Sequence, residues 1–346
     1  MKPAILLLIV LLAGGCGKQN EPAHEARILA FGTLIDVIIA GESKVEAEAA
    51  ISQLEQMFQR LHKNWHAWEP GLLGQTNRQL REGKPFTPHP EIVPLLKLSI
   101  SLAEKSEHLF NPTIGKLIDA WGFQGKNLDC DKLPEDEKLR QLLQQQPKMS
   151  DLKLHDNKLE NSNPAIKLDF GAIGKGYGLD LAIGQLRKSG IENALINAGG
   201  DLRAIGNRDG RPWRIAVRRP SGEGIFAYVE TSGDESVFTS GDYERNFRCN
   251  GEHYHHIIDP RNGKPARGAR SVTVIHSDAA TADAAATALF VAGPTGWQRI
   301  ASKMGIRYVA LVDDQGVLHI NPAMQKRLRL LDHNIKVELS EPIEIR

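Results

Sequence analysis

The chain has 346 residues, above the usual size of one domain but compatible with a single large α/β or α+β unit. Lys and Arg number 43 against 42 Asp and Glu, a formal net charge of +1, which gives no footprint for nucleic acid or for a strongly charged partner. No tandem repeat and no second long apolar run follows the first one at the N-terminus, so any membrane attachment would be by lipid alone.

Residues 1–15 read as a targeting segment. Lys2 precedes an apolar run at 4–12 that is too short to cross a bilayer as a mature helix. Leu12-Ala13-Gly14-Gly15 then places small residues before Cys16, as in a bacterial lipoprotein signal in which Cys16 becomes the lipidated N-terminus. The other reading is an ordinary signal peptide with an incidental cysteine. Residues 16–25 form a polar tether and 26–346 a single domain, expected in the cell envelope on the periplasmic or extracytoplasmic side. In an oxidising compartment Cys130 and Cys249 are either a disulfide or two isolated thiols, and their spacing matches no metal motif.

Residues 26–40 are β-rich with a break at Gly32. Ser43-Lys44-Val45-Glu46 is a capping box, opening a helix whose apolar positions are Val45, Ala49, Leu54, Met57, Phe58 and Leu61. Trp65 and Trp68 follow beside a Pro70-Gly71 turn, as core caps or as platforms for a planar ring. A second helix is expected over 90–108, a break at 109–113, and a further helix ending at Trp121-Gly122-Phe123. A polar insertion at 125–146 holds a helix near 135–145, and short strands at 152–159 surround an Asp156-Asn157 turn. Strands are expected at 194–198, 214–218, 227–230, 237–243 and 271–276, and a small-residue helix at 279–290. Mixed elements without strict βα alternation imply α+β, with mainly antiparallel sheets flanked by helices; because the candidate site pieces come from widely separated segments, two lobes around a cleft are expected.

Chemistry gathers in four stretches. KLDFGAIGKGYGLD at 167–180 runs an apolar approach into Asp169, then Gly171, Gly174, Gly176 and Gly178 with Lys175 among them. It lacks the spacing of a standard phosphate loop or dinucleotide fingerprint, and reads as a backbone approach to a ligand or as a tight strand–helix turn. Strand, double glycine and acid recur at Gly199-Gly200-Asp201. His253, His255 and His256 are too closely spaced for a zinc site; in an extended segment the first two share a face and His256 points away. Asp283 and Thr287 lie one turn apart on a helix, offering a carboxylate and a hydroxyl to a hard cation such as Mg²⁺, or leaving Asp283 as a capping or solvated acid.

Together these motifs resemble the ApbE family, the FAD:protein FMN transferases. The matching pieces are Trp68-Glu69-Pro70 with Asn77, Phe110-Asn111-Pro112-Thr113-Ile114-Gly115, Trp121-Gly122-Phe123, LDFGAIGKGYGLD, INAGGDLRAIG, TSGDYER, HHIIDPRNGKPA and ADAAATAL. The resemblance implies FAD contacts at Phe31, Trp68, Phe110, Asn111, Thr113, Asp169, Lys175 and Ile258. It implies Mg²⁺ ligation at Asp283 and Thr287, with Ala172 through its backbone carbonyl and Ala286 nearby, and phosphoryl-transfer chemistry at His256. Asn262 stands where the family usually has threonine, and Phe31 where methionine is frequent. The implied reaction uses FAD as substrate and Mg²⁺ as cofactor. FMN passes to a threonine of an acceptor flavoprotein, a subunit of an exported redox complex, and AMP is released. The alternatives are FAD hydrolysis to FMN and AMP, and a flavin-binding lipoprotein without turnover.

Overall fold

The β-rich residues after the tether form the outer hairpin of a nine-stranded sheet. The computed structural model describes residues 22–345 apart from 69, 124, 126–129 and 221–222. The targeting segment, Cys16, most of the tether and Glu69 lie outside the described residues.

The hairpin is β1 (His24–Ala30) and β2 (Thr33–Ile39), turned by Phe31 and Gly32, whose φ values of 53° and 71° are both positive. Helices α1 (Lys44–Trp65), α2 (Leu72–Glu82), α3 (Val93–Lys105) and α4 (Gly115–Trp121) follow. The insertion contributes α5 (Asp136–Gln144), then a second hairpin, β3 (Leu152–His155) and β4 (Lys158–Asn161). Helix α6 (Gly174–Lys188) leads to β5 (Ala194–Ala198), β6 (Asp201–Ile205), β7 (Arg214–Arg218), β8 (Ile225–Glu230) and β9 (Glu235–Gly241). A third hairpin, β10 (Asn246–Cys249) and β11 (Glu252–His255), precedes β12 (Ala269–His276) and the long helix α7 (Ala279–Met304). The chain closes with β13 (Tyr308–Asp313), β14 (Leu318–Ile320), α8 (Pro322–Gln325), β15 (Leu328–Leu330) and β16 (Val337–Leu339).

The large sheet has the order β1-β2-β5-β6-β9-β12-β13-β14-β16, antiparallel throughout except for the final β14–β16 pair. Side-chain alternation gives it two buried faces. Ile35, Val37, Ile39, Ile196 and Ala198 face the helical layer of α1, α6 and α7. Leu202, Ala204, Val237, Ile275 and Val312 pack against the small sheet β15-β8-β7. A satellite cluster of Ile114, Leu117, Trp121, Phe123, Leu139 and Ile258 joins α4, α5 and the β10–β11 hairpin into a second lobe. Cys130 and Cys249 form a disulfide, Cα–Cα 5.4 Å, tying the insertion to the end of β10. The α+β class is as expected.

Strands β6, β10 and β13 to β16 and helix α8 have no counterpart in the sequence reading, and helices α1, α2 and α7 differ from it. The capping box is present, with Ser43 N–H donating to Glu46 and Glu46 N–H to Ser43 Oγ, but the buried stripe of α1 is Ala47, Ala50, Leu54, Phe58, Leu61 and Trp65. At about 100° per residue, Val45 and Ala49 fall on the far side from Ala47, and Val45 is 78% exposed. Helix α2 was not anticipated, because its polar LLGQTNRQLRE stretch shows little beyond its bracketing Gly71 and Gly83, the latter a left-handed C-cap. Helix α7 runs past the expected end at Phe290; a break at Gly293 (φ 67°) and Pro294 joins two helical stretches there. No helix among the described residues is long and apolar enough to cross a membrane.

Gly184, inside α6, is unlike the other glycines of that helix, since a Cβ built there meets nothing within 4 Å. Gly184→Ala is therefore expected to raise stability by about 0.5–1 kcal/mol, by restricting the unfolded chain and improving helix propensity. A urea midpoint at or below that of the parent protein would refute it.

Candidate active site

The glycine-rich segment does not stop before its helix. Gly174, Gly176 and Gly178 lie inside α6, and their lack of side chains is what lets α6 meet its neighbours. A Cβ on Gly176 would stand 2.2 Å from the Ala279 carbonyl oxygen, so the first turns of α6 and α7 touch backbone to backbone. A Cβ on Gly178 would stand 3.0 Å from the Phe31 ring. This close approach lets the Gly176 N–H donate to Asp283 Oδ2 at 2.9 Å. In a regular helix that amide would return to the carbonyl four residues back. Here the Ala172 carbonyl accepts none of the described backbone hydrogen bonds and is left open beside Asp283.

Asp180 locks the same junction from the other side. Its carboxylate accepts from Ala279 N–H at 3.0 Å and Ala280 N–H at 2.9 Å, two donors that the start of α7 leaves free. The buried Arg203 pairs with it through Nε at 3.1 Å. Burial and then the charge of Asp278 push Asp180 up to about 6, against the pull of these donors.

Around this junction the charges are paired closely. Lys175 forms an ion pair with Asp201, which Gly199 and Gly200 deliver at the start of β6. The second Asp201 oxygen accepts from Thr239 N–H at 3.0 Å. Burial works against the Lys175 ammonium, but Asp201 and Asp283 together raise its pKa and keep it charged. Burial pushes Asp283, 6% exposed, up to about 7; Lys175 opposes this and Asp201 adds to it. One turn along α7, Thr287 Oγ1 lies 3.3 Å from Ser240 Oγ.

The histidines separate by role. His255 is buried, its Nε2–H donating to the Ala266 carbonyl at 2.8 Å and its Nδ1 accepting from Ile257 N–H, so it holds the turn. His253 lies 3.6 Å from Asp242 and shares a face with His255, their rings 5.9 Å apart. His256 is half-buried and follows the end of β11, and its Nδ1 is a buried polar atom with no hydrogen bond. Burial, then His255, Arg245 and Lys175, lower its pKa to about 3, which keeps the imidazole neutral.

The remaining candidates take supporting places. Asp169 is buried and accepts from Gly171 N–H at 2.7 Å, with its pKa raised by burial. Leu168, just before it, is pinned by both ends of the Asn77 side-chain amide, at 2.7 and 2.9 Å. Residues 110–113 run alongside: Pro112 carbonyl accepts from Asp169 N–H at 2.8 Å, and Thr113 Oγ1–H donates to Asn111 at 2.6 Å. Phe110 and Thr113 have buried side chains, so only Asn111, partly exposed, and the backbone of this stretch face outward. Trp68 is 39% exposed and donates to Asp119 at 2.9 Å, and Asp119 also pairs with Lys167. Phe31 stacks on Trp65 with ring centroids 6.1 Å apart. Ile258 sits in the satellite core, and Ala286 is buried in α7 without a side-chain oxygen. Asp180 and Ser240 had no role in the sequence reading, because their partners lie far along the chain.

Among the described residues no cluster of three or more His, Cys, Asp or Glu side chains is placed to hold a metal. The candidate set is one carboxylate (Asp283) and one hydroxyl (Thr287) a turn apart on α7, with the Ala172 carbonyl left open by the Gly176–Asp283 bond. All are hard oxygen donors, and so few protein ligands suit Mg²⁺, which keeps waters and takes substrate phosphate oxygens. The residues fit that ion.

Solved structures similar to this one include flavin transferases. An ApbE protein from Thermotoga maritima matches with a TM-score of 0.79 at 30% identity, covering 88% of this chain and 99% of that one. The flavin transferase ApbE from Vibrio cholerae matches with a TM-score of 0.77 at 28% identity, covering 88% and 100%. In sequence, the FAD:protein FMN transferase of Rhodobacter capsulatus is 39% identical over 93% of this chain, which spans 62% of that relative's length. The Vibrio cholerae FAD:protein FMN transferase is 30% identical over 89% of this chain and 92% of its own. The profile of the ApbE family matches residues 31–310. The chain belongs to the ApbE family.

Proposed function

We propose that this protein is a transferase that moves the FMN part of FAD onto a threonine hydroxyl of an acceptor flavoprotein, with Mg²⁺, releasing AMP. The observation that carries the reading is the Gly176–Asp283 bond, which leaves the Ala172 carbonyl open beside Asp283 and Thr287, next to the charged Lys175. It is supported by relatives named FAD:protein FMN transferase.

Asp283, Thr287 and the Ala172 carbonyl would hold the ion. When bound, Mg²⁺ would neutralise pyrophosphate oxygens and help the leaving phosphate depart. The chain's own residues do the rest. Asp169 and the backbone of 110–113 form one wall of the cleft, and Trp68 and Phe31 supply aromatic surface for ring systems. The Lys175 ammonium, held in place by Asp201, stabilises negative charge on the phosphates. The threonine oxygen attacks the FMN phosphorus, the bond from that phosphorus to the bridging oxygen breaks, and AMP leaves. His256, neutral and with an unpaired Nδ1, takes the hydroxyl proton.

The domain responsible spans 26–346, and its N-terminal segment would be removed before Cys16, leaving a lipid-anchored protein facing the periplasm or the extracytoplasmic side. There it would meet its acceptor in an exported redox complex. Incubation with FAD, Mg²⁺ and an acceptor domain bearing a threonine tests the reading. Flavin fluorescence should stay with the denatured acceptor, and AMP should appear in equal amount. AMP formed without acceptor labelling would mean hydrolysis, and FAD retained without any AMP would mean binding only.

A further inference from the structure

The β10–β11 hairpin brings two residues to its open end. The register pairs Asn246 with His255, so Arg245 and His256 flank that end, and His256 N–H donates to the Arg245 carbonyl at 3.1 Å. Arg245 is exposed, and among the described residues its guanidinium makes no hydrogen bond or ion pair. Its side chain nonetheless reaches the tip of the β1–β2 hairpin: a Cβ built on Gly32 would stand 3.0 Å from Arg245 Nη2. The tip of the β1–β2 hairpin, with Phe31 and Gly32, therefore sits against a guanidinium rooted beside His256. Its charge is also felt by Asp169 on the third side.

The two lysines of the glycine-rich segment are committed. Lys175 is paired with Asp201, and Lys167 donates to Asp119 at 2.8 Å. Arg245 keeps its N–H donors free at the meeting point of three chain segments. A planar guanidinium with free donors suits two oxygens of one phosphate, which a lysine can meet only as a point charge.

We propose that Arg245 is a substrate-binding residue that grips the phosphates of the flavin dinucleotide from the hairpin side of the cleft, opposite Lys175. This rests on the flavin-nucleotide reading of the site. The grip spans His256 and the Phe31–Gly32 tip, so it also fixes where the reacting phosphorus lies relative to the imidazole. Nothing in the fold depends on the Arg245 side chain, because it has no partner to lose.

The test compares dissociation constants for FAD and for riboflavin, which has the ring but no phosphate. Binding is read by flavin fluorescence without added metal, on the parent protein, Arg245→Ala and Arg245→Lys. Arg245→Ala is expected to weaken FAD binding about 10- to 100-fold, the loss of charge-assisted hydrogen bonds. Riboflavin affinity and the thermal midpoint should be unchanged, and Arg245→Lys should restore only part of the loss. If Arg245→Ala bound FAD as tightly as the parent, or lost riboflavin to the same degree, the phosphate grip would be overturned while the flavin reading stood. A parent protein that bound no FAD would overturn both.

Discussion

Asp283→Asn should abolish AMP release and acceptor labelling, with a rate loss of about 1,000-fold or more, while leaving the fold intact. The asparagine side chain keeps an oxygen to accept the Gly176 N–H, so the α6–α7 junction survives. What disappears is the one carboxylate among the three oxygens that would hold Mg²⁺. Stability should move, if anywhere, upward. Burial lifts Asp283 from 3.8 to about 7 in the folded protein, so its ionisation costs folding free energy as pH rises through that window. The contribution of the protonated acid is fully present below pH about 4 and is lost above pH about 7; asparagine escapes that loss. The same sign governs the metal, whose binding must displace the proton. The Mg²⁺ concentration for half-maximal rate should fall about tenfold per pH unit below 7 and level off above it. A variant within tenfold of the parent rate, or an Mg²⁺ requirement that does not change between pH 6 and 8, would refute the assignment. Chelating the metal from the parent protein should reproduce the Asp283→Asn loss, and adding Mg²⁺ back should reverse it only in the parent.

Asp180→Ala should produce the largest loss of stability of any single change near the site, about 3 kcal/mol in denaturant unfolding at pH 7.5. It would leave Ala279 and Ala280 N–H without acceptors in a packed junction. It would also leave Arg203, 4% exposed, with Asp234 as its only carboxylate. Asp234 is itself half in solvent and also pairs with Arg187, so it offsets little of the loss. Asp180→Asn keeps an oxygen for one amide and should lose less than half as much. Equal losses for the two variants would mean that charge on Arg203, and not capping, is the main contribution.

Much of the architecture was readable, and the unread parts share a cause. The capping box at Ser43, the strand–Asp-Asn–strand turn with positive φ at Asp156 and Asn157, and the strands at 194–198 and 214–218 are local patterns whose signals lie within a few residues. Asp283 and Thr287 were legible for the same reason, since helical spacing alone puts them on one face. The glycines of α6 were read as a backbone approach to a ligand or a strand–helix turn, because sequence shows what glycine permits but not what approaches it; here the neighbour is Ala279, about a hundred residues away. Asp180 sat in plain view at the end of the same motif, but its partners are at Arg203, Ala279 and Ala280. The pairing of Cys130 with Cys249 was open for want of any local sign and is decided by where α4 and β10 pack.

The bond between Gly176 and Asp283 closes 107 residues of chain, and it sets an order in time. During synthesis the glycine helix, the aromatic residues and even His256 all emerge before the residue that opens the Ala172 carbonyl. Until α7 is made and docked, Gly176 N–H is free to complete its own helical turn and occupy that carbonyl. A chain interrupted before residue 283 would therefore close the start of α6 as an ordinary helical turn, with the Ala172 carbonyl taken by its own backbone. That carbonyl is opened only once almost the whole domain exists.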